Sequence, residues 1–283
     1  MTMHKPCLAV GAAALILLPS QLMAQTGGDD ASTQIATTPS GDPGPICTDR
    51  PTKSNVTCTV PQGAVQVEAD VFSWTRLAAT PARTDVLVYT NPTVKYGLGD
   101  NSDIQLNIAP LVEVRTRVGE QTVNQRGVGD LTIRFKQRLT GPDDAVQVTL
   151  LPFVKAPTAE RGIGNEQWEG GLIVPVQLEI GPAMLTLVPQ VNLLAGALAP
   201  QRRHLEFQGL ANLAVPIAPR TTLAGEVWTS QNWDPAGTLR QYSADAALSY
   251  LLHDELQLDL GGNFGLNRAT PDVQVYLGLS ARF

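Results

Sequence analysis

From about residue 64 onward, apolar and polar side chains alternate with a period of two. In the last segment Val273, Val275, Leu277, Leu279, Ala281 and Phe283 interleave with Gln274, Tyr276, Gly278, Ser280 and Arg282. The preceding segment sets Leu256, Leu258, Leu260, Phe264 and Leu266 against Gln257, Asp259, Asn263 and Asn267. Near residue 104, Ile104, Leu106, Ile108, Val112 and Val114 alternate with Gln105, Asn107, Glu113 and Arg115. Successive side chains of a strand point to opposite faces, so this pattern predicts strands with one apolar and one polar face. Twelve such segments are predicted, at about 64–79, 85–96, 103–117, 129–138, 145–156, 169–180, 183–194, 204–217, 221–231, 241–252, 256–267 and 272–283. None of them shows a 3.6-residue period.

The connections alternate too. Those after even strands are tight: 97–101, 140–144, 181–182, 218–220 and 253–255. Those after odd strands are mostly longer (118–128, 157–168, 195–203, 232–240), with 80–84 and 268–271 as short exceptions. An even strand count, about ten residues per strand and alternating connection lengths mark an outer-membrane barrel. The fold class expected is therefore all-β: a transmembrane antiparallel β-barrel of about 12 strands, tight turns toward the periplasm. The aromatics agree. Tyr96, Phe135, Tyr250 and Phe283 fall on the apolar face near the tight turns, and Phe207, Tyr242 and Phe264 near the long loops. Two belts flanking an apolar band fit the two bilayer interfaces, whereas a soluble sandwich would place aromatics mid-core. The terminal Phe283, preceded by apolar residues at every second position, resembles the signal read by the outer-membrane assembly machinery.

The N-terminus sets the compartment. Lys5 precedes the apolar run Cys7 to Leu18 and a small-residue site at Ala24, a secretory signal peptide over 1–24. That run of twelve residues is too short to span a bilayer as a helix. Residues 25–62 read as a periplasmic N-terminal segment, irregular and rich in Gly, Asp, Ser, Thr and Pro over 25–45, and residues 63–283 as the barrel. In an exported chain, Cys47 and Cys58 predict a disulfide closing a short loop; the alternative, a metal site, lacks neighbouring His or further Cys. With Lys+Arg 20 against Asp+Glu 26, net charge −6 and no dense basic cluster, nucleic acid is not an expected partner. The expected location is the outer membrane of a Gram-negative bacterium, with membrane lipid, the assembly machinery and a small-molecule solute as partners.

Parity assigns the polar face to the lumen. A basic wall of Arg115, Arg117, Arg134, Lys136, Arg138 and Lys155, with Glu113 and Asp130 against it, then faces an acidic wall of Glu169, Glu179, Glu206, Glu226, Asp245 and Asp259, joined by Glu68 and Asp70. Such walls either impose a transverse field on polar solutes in a water-filled pore or pair across a narrow lumen and fill it. Parity also turns Phe72, Trp74, Leu87, Tyr89, Leu151 and Phe153 inward. These would form an apolar binding patch, unless a bulge reverses the register and puts some of them in the lipid belt. Catalysis finds little support. The mature chain has only His204 and His253, there is no Gly-x-Ser-x-Gly, and Glu206 and Asp234 are isolated carboxylates at the rim. No zinc or calcium motif is present, so no cofactor is expected.

The stretch Cys47-Thr-Asp-Arg-Pro-Thr-Lys-Ser-Asn-Val-Thr-Cys58, with Thr59-Val-Pro-Gln-Gly63, leads into the first strand. Asn91-Pro-Thr-Val-Lys-Tyr-Gly-Leu-Gly-Asp100 leads into the third and Gly127-Val-Gly-Asp130 opens the fourth. Together, over roughly 45–283, they resemble the bacterial outer-membrane family named for a putative meta-pathway of phenol degradation. The resemblance implies an outer-membrane channel or transporter for small molecules, aromatic or hydrophobic compounds among them, and carries no catalytic residues with it. The alternative from another class is a structural or adhesion barrel without transport activity. Its loops should be long and aromatic, but the longest is about a dozen residues, with Trp168 and Trp233 as anchors.

Overall fold

A computed structural model describes residues 44–283. The expected signal peptide over 1–24 and most of the stretch 25–45 lie outside the described residues. Twelve strands follow one another around a closed wall: β1 (Val65–Ala79), β2 (Ala82–Gly99), β3 (Ser102–Asn107 and Leu111–Val118), β4 (Gln121–Gly127 and Leu131–Arg138), β5 (Val146–Ala156), β6 (Glu169–Ile173 and Val176–Ile180), β7 (Ala183–Leu187 and Gln190–Ala195), β8 (Arg203–Ala218), β9 (Thr221–Asp234), β10 (Gly237–His253), β11 (Leu256–Gly265) and β12 (Val273–Arg282). Each pairs antiparallel with its neighbours in the chain, and β12 pairs back onto β1, from Gln66 with Arg282 to Arg76 with Val273. Closure leaves no sheet edge, which a bilayer requires because lipid cannot satisfy a free N–H.

Three of the four interrupted strands break at proline: Pro110 in β3, Pro175 in β6 and Pro189 in β7. Proline has no N–H to give the ladder. The neighbouring amides still bond across the gaps: Thr149 N donates to Pro175 O at 3.0 Å and Val174 N to Pro189 O at 3.0 Å.

The barrel is inverted relative to a soluble core. Leu260 (55% exposed) and Leu277 (49%) face outward, while Gln105, Asn212 and Ser280 are fully enclosed. Tyr96, Phe135, Tyr250, Phe207, Tyr242 and Phe264 are all exposed, as two interface belts should be. The barrel closes at the tight-turn end, where Val65 and Phe283 exchange backbone hydrogen bonds at 3.1 and 2.8 Å.

Two expected loops are strands instead. Over 118–128 and 232–240, β3–β4 and β9–β10 continue as ribbons closed by two-residue turns, the first at Gly119-Glu120. Beyond the membrane both faces of a ribbon meet water, so alternation disappears while backbone pairing persists. Gly119 takes the positive φ (59°) that so tight a hairpin needs.

Candidate functional site

The lumen is the site, and residues 44–62 run through it. The chain enters at the tight-turn end, where Ile46 N donates to Asp254 O at 2.6 Å and Arg282 donates to Gly44 O. The Cys47–Cys58 disulfide then closes a loop that touches the wall nearly all the way round. Arg50 reaches β1 and β11: Nη1 lies 2.7 Å from Asp70 Oδ1, and Nη2 and Nε donate to Asp259 at 2.7 and 3.0 Å. Lys53 pairs with Asp245 of β10, with its ammonium 5.2 Å from the Trp228 ring on β9. The Lys53 and Ser54 amides donate to the Glu226 carboxylate, each at 3.2 Å. Thr57 N donates to Gln177 of β6 at 2.8 Å, and Val60 N to Asp103 of β3 at 3.0 Å. Asp49 receives Lys136 of β4 at 2.7 Å and pairs with Lys95 of β2.

These contacts put an acid against the basic wall and bases against the acidic wall. Burial alone would push the Asp49 carboxyl up, but Lys136 and Lys95 outweigh it and hold the group well below the usual carboxylate range. Burial alone would likewise lower the Arg50 guanidinium, and Asp70 and Asp259 outweigh it and keep it charged. Gly278 of β12 makes the room: a Cβ there would lie 1.9 Å from Arg50 Nη2. The described part of the N-terminal segment, residues 44–62, thus lies within the lumen at its tight-turn end.

Between this segment and the long-loop end lies a cavity. Lys53 and Asn55 form its floor. Arg134, Lys155, Glu169 and Glu206 lie on its sides, together with an apolar face of Phe153, Ile173, Val188, Leu194, Leu210 and Trp228. Leu151, Ile173, Val188, Leu210 and Trp228 pack as one buried cluster with Phe153 against it. The charges here pair along the wall: Lys155 lies 3.0 Å from both Asp130 and Glu169, and Glu206 accepts from Asn192 at 2.7 Å and Ser230 at 2.6 Å. The free volume is about 60 Å³, well short of the roughly 150 Å³ of a benzene-sized cavity. Passage of a ring therefore requires the segment or the wall above it to shift.

The structure separates the two predicted walls into groups. Arg134, Lys136 and Lys155 are buried and inward, as are Glu169, Glu206, Glu226, Asp245 and Asp259. Arg138 and Glu179 hold the inward register at the tight-turn rim, with Glu179 exposed. Arg115 and Arg117 do not line the lumen. A bulge at Val71 in β1 and a second at Thr90 (φ 60°) in β2 reverse the register above them. Ser73, Val86, Val88, Val112 and Val114 become the inward residues, and Ile163 of the 157–168 connection packs on those valines. Phe72, Trp74, Leu87, Tyr89, Glu113, Arg115 and Arg117 consequently face outward, so the lipid-belt alternative holds for those four apolar residues. Leu151 and Phe153 keep their inward position. His204 is buried, 3.8 Å from Asp234, and His253 lies at the end of β10.

Sequence reasoning missed Asp49, Arg50, Lys53 and Lys95. The only signal for the first three was a Cys-closed loop carrying both signs of charge, which does not say which wall each residue meets.

A search of curated protein sequences finds no match. Among solved structures, the fold is similar to an outer-membrane channel from Pseudomonas putida F1 (TM-score 0.64, 14% identity, 80% of this chain and 98% of that one). It is also similar to the translocator domain of the autotransporter NalP from Neisseria meningitidis (0.52, 11%, 79% and 90%) and to the NanC porin (0.50, 10%, 77% and 98%). These likenesses show the fold, a closed antiparallel β-barrel. The family model described as "Putative MetA-pathway of phenol degradation" matches residues 48–283, and the chain belongs to that family.

Proposed function

We propose that this barrel is a channel for small amphipathic molecules, aromatic carboxylates foremost, and that residues 44–62 are its resident plug. The observation that carries the reading is the cavity, where Arg134, Lys155 and Lys53 stand around an apolar face of Phe153, Leu210 and Trp228. Cations placed beside an apolar surface orient a molecule that has one anionic and one apolar end. The terminal Phe283, paired with Val65 at the seam, is proposed as the residue read during assembly.

The test is uptake into proteoliposomes. Benzoate should enter faster than benzyl alcohol, and in the Arg50→Gln background, which loosens the plug, Arg134→Gln/Lys155→Gln should erase that preference while leaving the barrel folded. If neither solute enters, and Arg50→Gln also gives no conductance, the barrel is structural or adhesive and the channel reading fails.

A further inference from the structure

The register reversal in β1 and β2 has a consequence on the outside of the barrel. Cross-strand pairing places residues of β1, β2, β3 and β4 in horizontal rows on the outer face. The lowest row is Phe72, Tyr89 and Leu111; above it come Trp74, Leu87, Glu113 and Arg126. The next is Arg76, Asp85, Arg115 and Asn124, and the next Ala78, Arg83, Arg117 and Thr122. From Val65 at the seam to Trp74, nine residues at about 3.3 Å each, tilted by about 40°, climb roughly 23 Å, the height of an outer-membrane apolar band of about 25 Å. Phe72, Tyr89 and Trp74 therefore continue, on this side of the barrel, the outer aromatic girdle that Phe207, Tyr242 and Phe264 form elsewhere. Arg126 shares the row of Trp74, and Arg76, Arg115, Arg83 and Arg117 stand one and two steps above it, toward the outer-leaflet headgroups.

Five arginines share this panel with two carboxylates, in a chain of net charge −6. The carboxylates organise the cations rather than cancel them. Asp85 receives Arg76 at 2.9 Å and Arg83 at 2.8 Å, and Glu113 receives Arg115 at 2.6 Å and Arg126 at 3.1 Å. Arg76 stacks 4.5 Å from the Trp74 ring, joining the girdle to the cations. Arg83, Arg115, Arg117 and Arg126 remain exposed, and neighbouring strands lie only about 4.8 Å apart. Guanidinium groups in this arrangement offer paired N–H donors to phosphate oxygens.

We infer that the outer face of β1–β4 binds the phosphorylated sugar headgroup of an outer-leaflet glycolipid, whose acyl chains lie against Phe72, Tyr89 and Trp74. The occupant is a lipid rather than a free anion because the cations sit directly above a lipid-facing aromatic row, and the two parts of the surface match the two parts of such a molecule.

The experiment uses the mature chain in detergent micelles and measures binding of fluorescent bisphosphorylated lipid A. Arg115→Gln/Arg117→Gln/Arg126→Gln should weaken binding at least about tenfold, and wild type should bind dephosphorylated lipid A as weakly as the variant binds the phosphorylated form. Arg240→Gln, an exposed arginine of β10, should change nothing. Heat-shifted gel migration should show all the variants as folded barrels. Equal binding of bisphosphorylated lipid A by wild type and the triple variant would overturn the proposal. Indifference to the phosphates would do the same, as would equally effective competition by inorganic phosphate at the same concentration.

Discussion

The two ends of the lumen satisfy their charges in different directions. At the tight-turn end pairing is radial: Asp70, Asp259, Asp245 and Lys136 meet their partners on the segment that crosses the barrel. In the cavity above it pairing is lateral: Lys155 bridges Asp130 and Glu169 within the wall. Laterally paired charges stay satisfied whatever occupies the pore. Radially paired ones do not, so withdrawal of residues 44–62 would uncover Asp70, Asp245 and Asp259 on one side of the lower end, and Lys95 and Lys136 on the other, and leave the upper wall as it is. One barrel thus has a lower half whose electrostatics depend on residues 44–62 and an upper half whose charges do not.

The hardest test of this contrast removes Arg50. In Arg50→Gln, Asp70 and Asp259 lose the cation that both of them hold. Breaking a buried pair by removing one partner costs about 3–5 kcal/mol, enough to undock a short segment while the closed sheet stands. Single-channel conductance in planar bilayers should rise several-fold, and reversal potentials should show cation preference from the exposed carboxylates. Unchanged conductance in a barrel that does take up benzoate would mean that the segment is held by its remaining contacts and that Arg50 is not its anchor.

Next in size is the boundary between lumen and lipid. Leu277→Arg should cost roughly 2–4 kcal/mol of barrel stability near the bilayer midplane, while Gln208→Arg, facing the cavity, should leave unfolding in urea nearly unchanged. Asp259 and Gly278 share the inward register but are unsuitable controls, because both form the Arg50 seat. A smaller effect comes from Gly278→Ala, whose Cβ must displace the guanidinium by direct contact; conductance should rise, though less than in Arg50→Gln. Gly225→Ala, with open space around its Cβ, should not change it. If the two behave alike, the seat is looser than the geometry indicates.

Acid should release the plug only late. The Asp49 carboxyl, ordinarily near 3.8, is depressed in the docked state, so its contribution is fully present above the ordinary value and is lost as pH falls through the depressed one. Conductance recorded from pH 7 down to pH 5 should therefore show no opening due to Asp49. Opening within that window would assign the anchoring to a different group.

The period-two pattern carried the strand count, the closure and both aromatic belts, because every membrane strand must keep one face in lipid. Large apolar residues on the inward parity hinted at a bulge, but the pattern could not place it at Val71 and Thr90. A bulge adds one residue without changing composition, and both Phe72/Trp74 and Ser73/Thr75 are acceptable on either face until pairing chooses. The lumen segment was illegible for another reason: Asp49, Arg50 and Lys53 sit in a polar stretch without periodicity, and their meaning lies only in which wall each one meets. Arg134, Lys155 and Glu206 were legible because no bulge intervenes between them and the well-patterned ends of their strands.

The smallest expected effect concerns the upper half alone. In wild type the plug limits flux, so altering the cavity changes little that a conductance trace can resolve. In the Arg50→Gln background the cavity becomes the narrow part, and its cations then act on every solute that passes. Adding Arg134→Gln and Lys155→Gln there should move the reversal potential further toward cations by a few millivolts, because Asp130 and Glu169 lose their partner and the wall turns acidic. Lys136 must be left intact in this comparison, since it holds Asp49 and its loss would alter the plug and the wall together. Benzoate uptake should slow, and benzyl alcohol uptake should hold. A reversal potential that moves equally with and without Arg50→Gln would show that solutes meet the cavity before the plug yields, and that the two halves do not act in series.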